Sequence, residues 1–483
     1  MEVESRPLTL GVPELAGSPA GVPRANPSPA HVPACLTEGV SESTHPLTYQ
    51  RDLRGLTRVD LADLIRAAAR RRGLRSGVDK QRIRKWEVLG VMPDAANQTY
   101  IAEALDLPIE LVEPDTWPHW LPLSDGGVVP FGSSSSVTAL REALKTAMDP
   151  QRRAVLALSG SALTALAGSW AGGAQPATLV THLSDGTLVG DDTVTMLEDS
   201  VRRLNALATD QRQHFAALMD AHLTTVTNLI GHGRYDRTTG LRLHLLASTL
   251  AQTVAWHRFD HGRHTAAGQL WIAALHSAHA TNDTDLGAAM LGDLAYQAAW
   301  RRDHATAASL LQHALVRTEH PAARSLLHLR LARTLAAQGE KRAALRALTA
   351  AEHHLGVSSG IPRPTWCAWM SEADLAVDSG QALLDLGDAS RALHLITQGQ
   401  ALLPTSREKT KGVFLAYQAA SHLRLREPEL AAQAAGQALQ LARHIDAPRC
   451  ERLVQDLLPS FTPYEATPGV PELQEAAARR PTE

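Results

Sequence analysis

The chain has few aromatic residues, and its net charge is close to zero. Phe, Trp and Tyr together make up 4% of the 483 residues, and the formal net charge is −3. A core that is short of aromatic side chains must be built from Ala, Leu and Val, and Ala and Leu are strong helix formers. The charge balance excludes a uniformly basic nucleic-acid coat, and the 44% of hydrophobic residues excludes a wholly disordered chain. The sequence therefore predicts an all-α protein of roughly two to four domains.

Cysteine is also scarce. The three cysteines, Cys35, Cys367 and Cys450, lie far apart and form no CxxC motif. This spacing supports neither a zinc site nor a disulfide framework, so a reducing cytoplasm is the expected location. No phosphate-binding glycine loop, GxSxG motif or HExxH motif occurs. We therefore expect no catalytic activity, no cofactor and no metal site.

Both ends of the chain are predicted to be disordered. Residues 1–46 contain eight prolines and show no apolar periodicity, and they lack the basic start and compact apolar stretch of a secretory signal. Residues 461–483 are assigned as a disordered C-terminal tail.

An apolar segment follows Arg152 and Arg153 and carries no formal charge from 154 to 184. Paired arginines before such a stretch resemble a twin-arginine export signal. However, the segment begins 150 residues into the chain, and four glycines interrupt it, whereas a membrane-spanning helix needs about 20 predominantly apolar residues. We favour a buried or interdomain helix, and we expect no membrane partner.

The basic residues are concentrated near the start of the chain. Residues 51–85 contain twelve Lys and Arg residues against four Asp residues, a local net charge of +8 in a chain whose total is −3. Such an asymmetry is expected when one module contacts phosphates. The alternative is a set of solvated helix faces.

Capping signals divide this basic region into short helices. A first helix begins at Pro46, and Thr57 follows as an N-cap with Asp60 three residues on, an acidic relative of the capping box. Asp79 is a second N-cap candidate, and it opens a helix in which Ile83 and Trp86 share one face. The order of helices favours a helix-turn-helix domain over 47–112.

Three segments of this region resemble the phage-repressor, or Xre-like, helix-turn-helix family. They are RDLRGLTRVDLA at 51–62, IRKWE at 83–87 and GVMPD at 90–94. The stretch between the first two is longer than the family norm by roughly ten residues. The resemblance implies that the protein binds double-stranded DNA and that the helix after Asp79 enters the major groove.

The resemblance also implies roles for individual side chains. Lys80, Gln81 and Lys85 align with base-reading positions, and Arg84 is a further candidate. Lys and Arg donate to guanine O6 and N7, and Gln pairs with adenine. The expected phosphate contacts are Arg54, Arg58, Arg75 and Arg82. An adaptor domain that does not bind DNA is the alternative.

A repeat of helix, tight turn and helix occupies the second half of the chain. Its aligned small residues are Ala267, Ala307, Ala344, Ala392 and Ala431, spaced by 40, 37, 48 and 39. Hairpins of this kind cannot bury their apolar faces alone and stack into an α-solenoid. The pattern resembles tetratricopeptide repeats, whose standard period is 34. We assign 113–137 as a linker, 138–195 as a connecting helical segment and 196–460 as the repeat domain.

Two groups of side chains are candidates for binding a ligand. Trp117 and Trp120 lie between prolines in the predicted linker, and local packing on the first domain is favoured over a ligand site. The repeat domain has a group of histidines for which a metal or pH-sensing site is the alternative to solvated or core side chains. They are His257, His261, His264, His276 and His279.

The whole organisation resembles Xre-like regulators with tetratricopeptide-type bodies, found in filamentous high-GC Gram-positive bacteria. The resemblance implies a sequence-specific, dimeric, cytoplasmic transcriptional regulator whose repeats bind a peptide or protein ligand or mediate dimerisation. The alternative is a repeat scaffold that binds a partner protein and whose first domain does not read DNA.

Overall fold

The structure, a computed structural model, describes most of the chain after residue 44. The described residues are 45–53, 56–105, 107, 109, 112, 114–118, 120–121, 131, 135–148, 160–173, 186–207 and 213–479. Within these ranges the protein is helical, and the β pairing is limited to one bridge between Leu188 and Arg234. The all-α prediction is therefore confirmed. Of the predicted disordered extension 1–46, residues 1–44 lie outside the described residues.

Four helices form the basic N-terminal part, here called the head. They are α1 (Pro46–Leu53), α2 (Arg58–Arg71), α3 (Lys80–Val88) and α4 (Ala95–Ala104). Thr57 and Asp60 form the capping box of α2, and Asp79 and Asp94 accept backbone N–H groups at the starts of α3 and α4. Gly73 ends the second helix in the left-handed region at φ 73°.

The head has a core of its own. Leu61, Ile65, Ile83, Trp86 and Ile101 are buried there, and Ile83 and Trp86 share one face of their helix as predicted. Leu64, which precedes Ile65 in α2, is 38% exposed.

The head extends past its predicted boundary at residue 112. Trp120 and Leu121 are buried in the same core, and the Trp120 indole Nε1 donates to Gln98 Oε1 at 2.5 Å. Trp117 packs against this core as well. The assignment of 113–137 as a linker is therefore wrong for 114–118 and 120–121, because these aromatic side chains cover the open side of α4.

Sixteen further α-helices, here called the body, follow in the described residues. They are α5 (Ser135–Met148), α6 (Gly160–Ala171), α7 (Asp191–Ala206), α8 (Ala216–His232), α9 (Arg237–Asp260), α10 (His264–Thr281), α11 (Thr284–Trp300), α12 (His304–Arg317), α13 (Pro321–Ala337), α14 (Lys341–Val357), α15 (Glu372–Asp385), α16 (Ala389–Leu402), α17 (Glu408–Arg424), α18 (Pro428–His444), α19 (Pro448–Leu457) and α20 (Val470–Ala478).

Five consecutive helical hairpins make up most of the body. The pairs are α9 with α10, α11 with α12, α13 with α14, α15 with α16, and α17 with α18. Each predicted turn lies between the two helices of one pair, and all five aligned alanines, from Ala267 to Ala431, are fully buried. This arrangement confirms the prediction of tetratricopeptide-like hairpins. The small residue after each turn lets the paired helices approach closely.

The same position in each of the five turns takes a left-handed backbone. Three turns place glycine there, namely Gly262, Gly339 and Gly387, with φ between 72° and 88°. The other two place an arginine there, Arg302 with φ 69° and Arg426 with φ 62°. The turn geometry is thus common to all five hairpins, although only three have the residue that adopts it without strain.

The described parts of the predicted connecting segment 138–195 belong to the body instead. Helix α5 packs against α10, and α6 packs against α12. Trp170 of α6 is buried, its carbonyl accepts a hydrogen bond from Arg317 at 2.9 Å, and the Arg317 guanidinium lies 5.0 Å from its ring centroid. These helices bury the outer sides of the first two hairpins. The apolar segment after Arg152 and Arg153 is, in its described part 160–173, the buried helix that we favoured.

The C-terminal residues also differ from the expectation of a disordered tail. Phe461, Val470 and Leu473 are buried in one cluster with α18. A 3₁₀ segment (Leu458–Tyr464) and α20 thereby cover the last hairpin, whose outer apolar side would otherwise face solvent. The disordered-tail assignment is wrong for 461–479, and residues 480–483 lie outside the described residues.

Candidate functional site

Helix α3 has one buried side and one basic side. Ile83 and Trp86 are at most 1% exposed and fix the helix on the head. The predicted base-reading side chains, Lys80, Gln81, Arg84 and Lys85, are all exposed. None of the four forms an ion pair with another residue in the described part of the chain. The structure therefore brings these four together on one accessible surface, here called the α3 face.

Glu87 holds α3 against the start of the head. Its side chain is fully buried, and Arg51 Nε and Arg58 Nε donate to its two carboxylate oxygens at 2.8 and 2.5 Å. Arg51 also donates to the Leu56 carbonyl at 2.8 Å. One carboxylate thus links α1, α2 and α3. Glu87 was not among the predicted site residues, although an acidic residue four positions after Ile83, on the apolar side, is a signal for a buried ion pair.

The arginines that were predicted to contact phosphates lie in different parts of the head. Arg75 and Arg82 are exposed, Arg75 in the turn between α2 and α3. Arg58 is instead engaged with Glu87, with its side chain 38% exposed, because its position at the start of α2 faces that carboxylate. Arg54 lies outside the described residues. A cleft at this end of the head is lined by Arg51, Leu56, Thr57, Arg58, Lys80, Gln81 and Arg84.

The body contains a second candidate site, here called the chamber. It is a cavity of about 1620 Å³ lined by the first helix of every hairpin, namely α9, α11, α13, α15 and α17, and by α19. The repeats were expected to bind a peptide or protein ligand, but the lining contributed by α19 was not predicted. Several of the chain's few aromatic residues line it, among them Trp256, Tyr296, Trp300 and Tyr417.

Ion pairs joining neighbouring hairpins cross the chamber wall. Arg330 of α13 donates to Asp293 of α11 at 2.8 Å, and Trp256 Nε1 donates to the other oxygen of Asp293 at 3.0 Å. Arg333 donates to Asp378 at 2.8 Å and to the Tyr417 hydroxyl at 2.9 Å. These polar groups satisfy one another and give the wall a fixed arrangement.

Burial changes the acidity of several chamber groups. Desolvation raises the pKa of Asp378 despite the opposing effect of Arg333, and it raises the pKa of Asp385 as well. Burial also raises the pKa of the Tyr417 phenol. The carboxylate of Asp385 forms no ion pair within the described residues, and its acceptor contact is the Gln381 amide at 3.1 Å. The chamber wall thus carries largely buried polar groups at Asp378 and Tyr417, whereas Asp385 is open to solvent.

The predicted histidine cluster divides between two places. The rings of His257 and His261 lie against each other at the end of α9, tilted by 34° with their centroids 4.3 Å apart, and burial lowers the pKa of His257 to about 4. His276 and His279 instead lie on α10, both against Phe131. Desolvation lowers the pKa of His264 too. In the described ranges no three His, Cys, Asp or Glu residues are grouped as metal ligands would be.

The comparisons with known proteins add little to this geometry. No protein-family profile matches the chain, and no curated protein matches it. Among solved structures, a chain of the APC/C hetero-tetramer Cut9-Hcn1 is 15% identical over 80% of this chain and 84% of that chain, with a TM-score of 0.24. Such a loose superposition carries no property of that assembly over to this protein. Across the described residues, no helix has the length and apolar character needed to cross a membrane.

Proposed function

We propose that this protein is a sequence-specific DNA-binding transcriptional regulator, with the head as the DNA-binding module and the repeat body as a ligand-binding or dimerisation module. The α3 face carries the proposal. It offers three cations and one amide, all exposed and without ion pairs in the described residues, on a helix whose opposite side is buried. A surface of this kind attracts a polyanionic partner, because its exposed charges of one sign add to a single positive field.

The chemistry of the face suits the major groove. Lys80 and Gln81 form the first turn of α3, and side chains of the first turn of a recognition helix are those that reach base edges. Lys85 lies beyond them on the exposed side, and Arg84 follows Lys80 by four residues. Arg75 and Arg82 are exposed nearby, where phosphate contacts would hold the head in register.

The resemblance to Xre-like regulators supports the same role, and it suggests control of development or secondary metabolism from within the cytoplasm. We further propose that two copies bind one operator, because helix-turn-helix domains read paired half-sites. No catalytic activity is part of this function.

The test is selection from fragmented genomic DNA at graded salt concentrations. The full chain should retain a defined set of fragments, and its binding should weaken steeply with salt. A variant with Lys80→Glu and Lys85→Glu should lose this retention. The matched control reverses two exposed lysines of the body, Lys341→Glu and Lys411→Glu, and should retain the fragments. Equal retention by both variants would refute the role of the α3 face.

A second candidate is a repeat scaffold that binds a partner protein, and the chamber favours it. The cavity is lined by all five hairpins, and this is the wall a solenoid offers to a ligand. If the full chain retains no DNA fragments at low salt, while removal of residues 45–121 leaves partner binding unchanged, the scaffold becomes the better description.

A further inference from the structure

Arg449 of α19 inserts into a pocket made by the first two hairpins. Its guanidinium carbon lies 5.8 Å from the ring centroids of Trp256, Phe259 and Tyr296 alike. Its Nε is 3.3 Å from Asp260 Oδ1, and its Nη1 donates to the Tyr296 hydroxyl at 3.4 Å. Three rings, one carboxylate and one phenol oxygen therefore surround a single guanidinium group.

The pocket supplies what a guanidinium needs from a binding site. Ring faces attract a cation, the more so where water is excluded, and a carboxylate adds directional charge-assisted hydrogen bonds. The side chains of Asp260 and Arg449 are only 12% and 15% exposed. Asp260 is also the last residue of α9, where the helix dipole adds negative potential and favours a cation. Lys409 forms an ion pair with the other oxygen of Asp260.

Arg449 fills this pocket without satisfying it. Arg449 Nε and Asp260 Oδ1 are both buried, and neither forms a well-directed hydrogen bond with any described group. The 3.4 Å contact to Tyr296 is long for a hydrogen bond to a cation. The fork of a guanidinium is able to make two parallel hydrogen bonds to a carboxylate, whereas the Arg449 Nε makes none to Asp260 Oδ1 in this structure.

Helix α19 does not depend on Arg449 for its own position. Cys450 and Val454 are fully buried, each in an apolar cluster formed with α17 or α18. The Arg449 side chain is therefore able to leave the pocket while α19 stays in place. The pocket opens on the chamber, so a ligand has access to it from inside the repeats.

We infer that Trp256, Phe259, Asp260 and Tyr296 form a guanidinium-binding site that Arg449 occupies in this structure and that an arginine side chain of a ligand takes when Arg449 is displaced. Such an exchange removes the Arg449 contacts that join α19 to the first two hairpins, while α19 keeps its position against α17 and α18. The chain's own arginine thus acts as an internal competitor for the ligand. The inference is independent of DNA binding.

The test uses the full chain with Arg449→Ala, which empties the site. We expect N-acetyl-arginine amide to bind this variant at least tenfold more tightly than it binds wild type, where Arg449 competes, as measured by calorimetry. The same probe should raise the melting temperature of the variant. N-acetyl-lysine amide should bind at least tenfold more weakly than the arginine probe, because an ammonium cannot make the forked contact. A five-residue peptide with a central arginine serves as the second arm. Tighter binding of the peptide identifies a peptide ligand, and equal binding identifies a free arginine-like molecule.

Two further variants keep the test decisive. Adding Asp260→Asn to Arg449→Ala should abolish binding of the arginine probe. Arg443→Ala, which removes an arginine of the neighbouring ion pair with Glu451, should bind no better than wild type. If Arg449→Ala fails to fold, Arg449→Met retains the apolar stem and tests the same site. The inference is wrong if the emptied pocket binds arginine and lysine probes equally, or if Asp260→Asn leaves binding intact.

Discussion

Arg51 and Glu87 are 36 residues apart in the chain, and the Arg51 Nε donates to Glu87 Oε1 at 2.8 Å in the interior of the head. The carboxylate has no exposed surface, and its second oxygen is engaged by Arg58. The pair therefore sets the angle between α1 and the helix that carries the α3 face. Loss of this ion pair should weaken DNA binding by changing the orientation of α3, and not by removing charge from the surface.

Replacing Glu87 by Gln should destabilise the head by about 3 kcal/mol, because it leaves two arginines facing a buried site without a countercharge. Urea unfolding of the full chain measures this cost. Glu103→Gln is the matched control, since Glu103 pairs with Arg72 at 2.6 Å at a site where its side chain is 19% exposed. A loss at position 87 no larger than at 103 would show that the buried pair is not what holds α3.

Substitutions on the α3 face should lower the affinity for the operator more than the affinity for random DNA. Lys80→Ala and Lys85→Ala should each cost about 1–3 kcal/mol on the selected operator and much less on random DNA, because a base contact is lost. Arg75→Ala should weaken both alike and lower the salt slope by about one unit. Titrations at several salt concentrations give both quantities. An unchanged ratio of operator to random affinity in the lysine variants would mean that α3 does not read bases.

The two arginines in left-handed turns should be replaceable with a gain in stability. Arg426→Gly should raise the free energy of unfolding by about 1 kcal/mol, because glycine adopts φ 62° without the strain that a Cβ brings. The Arg426 side chain is exposed, so little packing is lost. Gly387→Ala, at the equivalent position of the previous hairpin, should lower stability by a similar amount. Denaturant unfolding of both variants tests whether the five turns share one conformation.

The body should lose stability in mild acid. Burial lowers the pKa of His244, which is 4% exposed, to about 4, whereas its pKa in the unfolded chain is near 6.5. The unfolded chain then binds a proton that the folded chain excludes, so stability is full above about pH 6.5 and falls as the pH drops toward 4. Asp378, whose pKa is raised, contributes with the opposite sign over its own range.

His244→Leu should flatten this dependence by up to about 1.4 kcal/mol per pH unit between pH 6.5 and 4. Urea unfolding across that range measures the slope. His394→Leu is the control, since His394 is exposed on α16 and should leave the slope unchanged. An identical slope in the two variants would show that His244 takes up protons in the folded state.

Local signals made the hairpins predictable from the sequence. Gly339 and Gly387 mark turns directly, and Thr57 and Asp79 mark helix starts, because caps and turns depend on neighbouring residues. The alternation of turn and apolar helix at similar spacing then indicated a repeat. The exposure of Gln81 followed from its position opposite the face that Ile83 and Trp86 share.

The chamber, and the position of α19 along it, could not be predicted from such local signals. Arg449 and Asp260 lie on separate helices far apart in the chain, and each is an unremarkable charged residue within its own local pattern. Arg58 was predicted to contact phosphate, because nothing in its local pattern shows that Glu87 lies beside it. The packing of α5 and α6 on the hairpins was missed for the same reason, since periodicity shows which side of a helix is apolar but not which helix covers it.

The packing of α6 on α12 also affects the order in which the chain is able to fold during synthesis. Trp170 leaves the ribosome 147 residues before Arg317, whose side chain covers it. At about 5–20 residues per second, that interval is roughly 7–30 s. Throughout it, the apolar side of α6 has no partner, and the hairpins that will cover it are still being made. The nascent chain therefore exposes an apolar helix surface for longer than a chain of independently folding repeats would. A chaperone that binds apolar helices would bind α6 during this interval.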